Sequence, residues 1–189
     1  AHVGPLLHTA FRHVRHASQS GAVGVNVLLH GPPGTGKTEL GRLLAAGAEA
    51  ACFEVTTEDD DGAEARRSDR LPNYQLGQRL LGSGGGGVVI FDEAEDVFGW
   101  STAGALGLST QRNGSKGFLN RALESNPVPT VWITNAASSM DPAILRRFDV
   151  VLHLEALTQA MREHVVRKST RGAGLKRATI DKIGRDTRI

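Results

Sequence analysis

The chain has 189 residues, of which 40% are hydrophobic and 22% charged, and its formal net charge at pH 7 is +2. This length fits one domain and perhaps the start of a second, with enough apolar residues for a sizeable core. A single cysteine, Cys52, excludes a disulfide scaffold, and the lack of an apolar run of roughly 18 residues excludes an integral membrane protein. No charged-then-apolar leader is visible, so we expect a cytoplasmic protein.

The first half of the chain alternates between helical periodicity and short apolar runs typical of buried strands. In chain order, the pattern predicts a helix, a strand, a helix, a strand, a helix and a strand, at residues 5–19, 25–29, 37–51, 52–57, 73–81 and 88–91. Cys52 opens the second strand, and we expect it to be a small core residue. His13 and His16, one turn apart in the first helix, are expected to face solvent because no third metal ligand lies near them in the sequence.

The second half begins with a long loop at residues 98–115 that is rich in Gly, Ser and Thr. It is followed by a helix, a strand, a helix, a strand and a helix, at residues 118–125, 131–133, from Asp141 onward, 150–154 and 158–169. Asp141 and Pro142 stand in the N-cap and N1 arrangement that starts a helix. Strands that alternate with helices predict an α/β fold, with a parallel sheet covered by helices on both faces.

One motif carries a specific chemistry. Residues Gly31–Thr38 read Gly-Pro-Pro-Gly-Thr-Gly-Lys-Thr, which fits the phosphate-binding pattern GxxxxGK(S/T) between a strand and a helix. The glycines allow backbone N–H groups to turn toward a phosphate, and the helix N-terminus adds its positive end. Lys37 is expected to reach the β- and γ-phosphates, and the hydroxyl of Thr38 to bind Mg²⁺.

A second motif places two acids at the end of the strand at residues 88–91. Asp92 and Glu93 follow four apolar residues, and ligand sites of α/β proteins lie at the carboxyl ends of such strands. We expect Asp92 to hold Mg²⁺ through its water shell and Glu93 to orient and deprotonate an attacking water. Glu95 and Asp96 are expected to begin the next helix and to face solvent.

These motifs, in this order, resemble those of the AAA+ ATPase superfamily, and within it the founding AAA subgroup. Gly31–Thr38 resembles the Walker A loop, Val88–Glu93 the Walker B strand and Asn135 the sensor 1 residue. The segment with Arg146-Arg147 before Phe148 is similar to the second region of homology in microtubule-severing AAA enzymes.

The resemblance implies a P-loop NTPase fold, a three-layer α/β/α core with a five-stranded parallel sheet over residues 1–155, followed by an incomplete helical lid at residues 156–189. It implies ATP and Mg²⁺ as cofactors, with Thr38 and Asp92 at the metal. The catalytic residues that it implies are Lys37, Glu93, Asn135, Arg146 and Arg147. Nucleotide binding is assigned to Val3, Gly4, Gly31, Pro32, Pro33, Gly34, Thr35, Gly36, Lys37, Thr38 and Glu39.

The resemblance also implies a ring, usually a hexamer, with ATP at the subunit interfaces. Arg146 or Arg147 is then expected to reach the γ-phosphate of a neighbouring subunit as an arginine finger, although the sequence does not indicate which. The alternative is that the two arginines end a helix and form salt bridges.

Two loops depart from the pattern of protein unfoldases. Residues 58–62 are acidic and lack the aromatic residue that grips polypeptide in such enzymes, so this loop is either solvated or contacts a basic partner. The loop at residues 98–115, with Trp100 as its one large apolar residue, is either functional or disordered.

The leading hypothesis is an ATP-hydrolysing module that remodels an unknown protein partner. The alternatives are a nucleotide-switched binding module with little turnover, a clamp-loader-like nucleic-acid-handling ATPase and, least favoured, a small-molecule kinase. The segment at 162–189 has nine Lys/Arg against three Asp/Glu, which we interpret as part of an incomplete lid rather than a nucleic-acid arm. A lid this short predicts that the sequence is a piece of a longer protein.

Overall fold

The computed structural model describes residues 3–57, 67–84, 86–98 and 112–169. Within them the helices are α1 (Val3–Ser20), α2 (Lys37–Gly47), α3 (Arg67–Ser83), α4 (Glu95–Phe98), α5 (Arg112–Ser125), α6 (Pro142–Leu145) and α7 (Gln159–Ser169). The strands are β1 (Asn26–His30), β2 (Ala51–Val55), β3 (Gly87–Phe91), β4 (Thr130–Thr134) and β5 (Val150–His153). The acidic loop at 58–62, Trp100 and the basic segment beyond residue 169 lie outside the described residues.

The five strands form one parallel sheet in the order β2-β3-β4-β1-β5. Alternate residues of the strands face two separate apolar clusters, as a strand's two-residue period requires. One cluster joins Val27, Leu29 and Ile90 to helices α1 and α2, and the other joins Leu28 and Phe91 to α3 and α5. The predicted fold, a P-loop NTPase sheet between two layers of helices, is confirmed.

A buried polar network ties β1 to the neighbouring strand and to the end of α5. Asn26 is fully buried, and its Nδ2 donates to the carbonyls of Gly24 and Leu123 at 2.9 and 2.7 Å. Its Oδ1 accepts from the indole Nε1 of Trp132 at 2.9 Å. Because buried polar groups without partners are costly, this network favours one packing of α5 against the sheet.

The structure corrects three local predictions and extends a fourth, since α3 begins at Arg67 rather than at residue 73. Cys52 is exposed, because β2 is an edge strand whose first residues lie outside both apolar clusters. Helix α2 ends at Gly47 rather than near residue 51, because Glu49 takes a left-handed conformation (φ 56°) that turns the chain into β2. Helix α5 begins at Arg112, so the last four residues of the predicted loop at 98–115 are helical; helix growth from the apolar turns that follow adds residues at little cost.

Helix α7 follows β5 and covers nearly the predicted residues, and its Val166 is buried. The division into a core at 1–155 and a lid at 156–189 stays a prediction. None of the described helices is both long enough and apolar enough to cross a membrane.

Candidate functional site

The carboxyl ends of three adjacent strands form the candidate site. The loop after β1, Asp92 and Glu93 after β3 and Asn135 after β4 meet at one edge of the sheet, since these strands are neighbours. Between them lies a cavity of about 400 Å³, which is lined by Pro33, Gly34, Gly36, Lys37, Thr38, Glu39, Asp92, Glu93 and Asn135. A cleft outside the carboxyl ends of parallel strands is where open α/β sheets bind ligands.

Glycines give the loop its shape. Gly31 has φ 145°, and a Cβ at this position would lie 2.1 Å from the backbone oxygen of Leu154, so only glycine fits. Gly34 and Gly36 have φ of 74° and 83°, and Gly36 is the N-cap of α2. The 11-residue helix α2 therefore opens directly at the cavity, where its free N–H groups form an anion site.

Lys37 is buried at the start of α2 and is held by the loop itself. Its Nζ donates to the carbonyls of Gly31 and Pro32 at 2.9 and 2.7 Å, and the Thr35 hydroxyl donates to the same Pro32 oxygen at 2.9 Å. Burial lowers the pKa of Lys37, and the nearby carboxylates of Asp92 and Glu95 oppose that shift. A cation is thus fixed beside the helix N-terminus, which reinforces the anion site.

Thr38 and Asp92 are directly connected. The Thr38 hydroxyl donates to Asp92 Oδ2 at 2.6 Å, and Asp92 Oδ1 accepts from the backbone N–H of Glu93 at 2.8 Å. A hydroxyl and a carboxylate are the hard oxygen ligands that Mg²⁺ takes beside phosphate oxygens and water. The residues present therefore fit a magnesium ion bound together with a phosphate group.

Glu93 is exposed to the cavity on an unusual turn. It has φ 46°, rare for a residue with a side chain, and the following N–H of Ala94 donates to the Ile133 carbonyl of β4 at 2.8 Å. Strained conformations of this kind persist where the surroundings enforce them, and they cluster at functional sites.

Beneath this turn lies Arg70, which belongs to none of the sequence motifs. The side chain is only 1% exposed, and its guanidinium lies 4.6 Å from the ring centre of Phe91. It donates to the backbone oxygens of Asp92 and Glu93.

Glu95 differs from its prediction. It begins α4 as expected, but it is half-buried rather than facing solvent. Its Oε1 accepts from the backbone N–H of Asn135, and its Oε2 is buried with no hydrogen-bond partner within the described residues. This hydrogen bond connects the backbone after β4 to the start of α4, the short helix that follows the turn after β3. The spacing of Glu95, two residues after Glu93, was the one signal in the sequence.

Arg146 and Arg147 do not line the cavity of their own chain. Arg146 is exposed and its Nε donates to the Pro142 carbonyl at 3.2 Å, whereas Arg147 forms an ion pair with Glu124. Asp141 caps α6 by accepting from the N–H of Ala143 at 2.8 Å, as its spacing predicts. The salt-bridge interpretation therefore fits Arg147, while Arg146 is the more available of the two.

The remaining assigned residues lie at or beyond the rim. Glu39 lines the cavity and pairs with Arg42 at 2.6 Å. Val3 and Gly4 form the first turn of α1, and Gly4 does not line the cavity. His13 and His16 are exposed as expected, and no cluster of three metal-binding side chains occurs in the parts of the chain that the structure describes.

This sheet and loop define a P-loop nucleotide-binding protein, and comparison with known proteins identifies its family. The model of the family "ATPase family associated with various cellular activities (AAA)" matches residues 27–156. The chain therefore belongs to the AAA family of ATPases.

Two relatives and one solved structure illustrate the similarity. The chain is 26% identical over 177 residues to cell division control protein 48 homolog B of Arabidopsis thaliana, covering 86% of this chain and 28% of that protein. It is 32% identical over 149 residues to the ATP-dependent zinc metalloprotease FtsH of Helicobacter felis, covering 71% of this chain and 22% of that protein. A katanin structure covers 95% of this chain, and the chain 61% of it, with a TM-score of 0.64 at 19% identity, which supports the fold.

Proposed function

We propose that the chain binds ATP with Mg²⁺ and hydrolyses it, as one subunit of a ring that remodels a protein partner. The observation that supports this most strongly is the contact between Thr38 and Asp92 at the cavity that Lys37 and Glu93 also line. These residues join a phosphate site, a magnesium site and a carboxylate able to accept a proton in one cavity.

In this proposal the phosphate groups lie on the N-terminus of α2, where the backbone N–H groups and Lys37 stabilise their charge. Thr38 and Asp92 would hold Mg²⁺, and this ion would neutralise the charge that develops on the phosphate oxygens. Glu93 accepts the proton of the attacking water, and Asn135, at the end of the strand between the phosphate loop and Glu93, orients that water.

The ring is proposed because no second cation completes the site in the part of the chain that the structure describes. Within the described residues Lys37 is the only Lys or Arg that lines the cavity. Arg146 is exposed at the end of α6, whereas Arg147 pairs with Glu124, so we assign Arg146 as the arginine finger that would serve the site of a neighbouring subunit. Because the chain spans about a quarter of the length of the two relatives named above, the protein partner and the hexameric state are part of the proposal.

The test separates binding from turnover. Glu93→Gln removes the proton acceptor and keeps the side-chain size, so ATP should bind as in the unaltered protein while hydrolysis is lost. Glu155→Gln, an exposed carboxylate away from the cavity, is the matched control and should change neither quantity. Normal hydrolysis by Glu93→Gln would refute the assigned role.

A second candidate is a nucleotide-switched binding module with little turnover, which the position of both arginines away from the cavity of their own chain favours. Specific ATPase activity measured against protein concentration distinguishes the two. A ring enzyme gains activity per chain as it assembles, whereas a monomeric switch does not.

A further inference from the structure

Arg70 is a buried cation that the proposed hydrolysis does not itself use. It lies in the first turns of α3, the helix that packs against β2 and β3, and it is 1% exposed. One face of its guanidinium stacks over Phe91, the last residue of β3, at 4.6 Å from the ring centre. A charged side chain is buried this deeply only where it has well-placed acceptors.

Within the described residues, the acceptors of Arg70 include two successive backbone oxygens. Nη2 donates to the carbonyl of Asp92, and Nη1 donates to the carbonyl of Glu93 at 3.1 Å. The pairing of β3 with β2 ends at these residues. The N–H of Asp92 still donates to the Val55 carbonyl of β2, and Glu93 then turns out of the sheet with φ 46°. The planar guanidinium thus replaces the ladder partners of both carbonyls at the point where the chain turns.

We propose that Arg70 is a positioning residue for Glu93. By fixing the carbonyls of Asp92 and Glu93 it enforces the left-handed turn, and that turn presents the Glu93 carboxylate to the cavity. Arg70 itself does not line the cavity, so it acts through the backbone. The inference rests on the proposed ATP hydrolysis, and it assigns to α3 a part in the catalytic geometry.

Turnover and ATP affinity should respond differently if this is correct. The loop at 31–36 and Lys37 are held by hydrogen bonds within the loop, so phosphate binding should depend less on Arg70 than the turn at Glu93 does. The magnesium site includes Asp92, so ATP affinity is compared in EDTA. Arg70→Lys keeps the charge but cannot bond both carbonyls in one plane, and Arg70→Met keeps only the apolar stem. Arg79, an exposed arginine on the same helix, supplies the matched controls Arg79→Lys and Arg79→Met.

The first experiment measures turnover at saturating ATP and the dissociation constant for ATP. Both Arg70 variants are expected to lose about tenfold or more in turnover, the scale of a misplaced proton acceptor, with ATP affinity in EDTA changed less than about threefold. In a Glu93→Gln background, Arg70→Met should lower the residual rate no further, because the two residues act in one unit. Unchanged turnover, or equal losses in turnover and affinity, would overturn the proposal.

The second experiment does not depend on turnover and so separates this inference from the proposed function. Hydrogen exchange of the ligand-free protein should accelerate at the amides of Glu93 and Ala94 in both Arg70 variants, while exchange at the amides of β1 and β4 stays unchanged. The Arg79 variants should exchange at the same rates as the unaltered protein. Acceleration throughout the sheet, no local acceleration, or unfolding of both Arg70 variants would assign Arg70 to core stability alone. If the unaltered protein and Glu93→Gln hydrolyse ATP equally, the proposed function fails, while the exchange result still tests the turn.

Discussion

Thr38→Val replaces a hydroxyl with a methyl group of nearly the same size and so removes one hydrogen bond without opening a cavity. The bond that is lost, from Thr38 Oγ1 to Asp92 Oδ2 at 2.6 Å, is charge-assisted and only partly buried. Such bonds contribute about 1.5–3 kcal/mol when buried, and water can partly replace this one, so we expect a loss of about 1–2 kcal/mol in the free energy of unfolding. With a urea dependence of about 2 kcal/mol per M, the midpoint should fall by about 0.5–1 M.

The same substitution should reduce the magnesium dependence of ATP binding. The assay is a titration with ATP in Mg²⁺ and again in EDTA, for Thr38→Val and for the control Thr38→Ser, which keeps the hydroxyl. We expect Thr38→Ser to retain the gain in affinity that Mg²⁺ gives, and Thr38→Val to lose about 1.4 kcal/mol of it, which is about tenfold in the dissociation constant. If the two variants have the same urea midpoint and the same gain from Mg²⁺, the reasoning about the Thr38–Asp92 pair is refuted.

Three further predictions follow from other parts of the structure. Arg146→Ala should abolish ATPase activity in the assembled protein while ATP still binds. Arg147→Ala should lower the free energy of unfolding by no more than about 1 kcal/mol, because its ion pair with Glu124 is partly exposed. Equal ATPase losses in both variants would contradict the choice of Arg146 as the finger. Burial, with the neighbouring His153 and Lys37, lowers the pKa of His30 below 6.5, so the unfolded state takes up a proton first as the pH falls. The free energy of unfolding should therefore decrease below pH 6.5, and denaturant titrations of His30→Phe should show a smaller decrease; an equal decrease would contradict the assignment. Asn26→Leu should lower the free energy of unfolding by about 3 kcal/mol, because the Trp132 indole loses its buried acceptor, and a loss under about 1 kcal/mol would contradict the network.

The fold could be predicted from the sequence because its strands are continuous apolar runs and its turns are marked by Gly, Pro and Asp. The phosphate loop combines both signals, and its glycines at φ 74–145° are positions where few other residues could stand. The prediction that Cys52 lies in the core is wrong because the apolar pattern of a strand does not indicate whether the strand lies at the edge or in the centre of the sheet. The order of the strands decides this, and it depends on contacts distant in the sequence.

Arg70 and Glu95, which support the site from outside the motifs, could not be predicted because their contacts are also distant in the sequence. Arg70 lies more than 20 residues from the carbonyls that it binds, and a single arginine in a helical segment is usually solvent-exposed. Glu95 was predicted to face solvent because an acid at the start of a helix usually does, whereas here it bonds to the backbone of Asn135. Motifs identify residues that contact a ligand, but the residues that position them are defined by packing.

The role of Glu93 in activating water for ATP hydrolysis is tested by the rate of ATP hydrolysis per chain at saturating Mg²⁺ and ATP. The protein and its Glu93→Gln variant are compared at protein concentrations at which activity per chain no longer increases. Loss of a general base should lower the rate by about 100-fold or more, with the dissociation constant for ATP unchanged. Equal rates in the two proteins would show that Glu93 does not activate the attacking water.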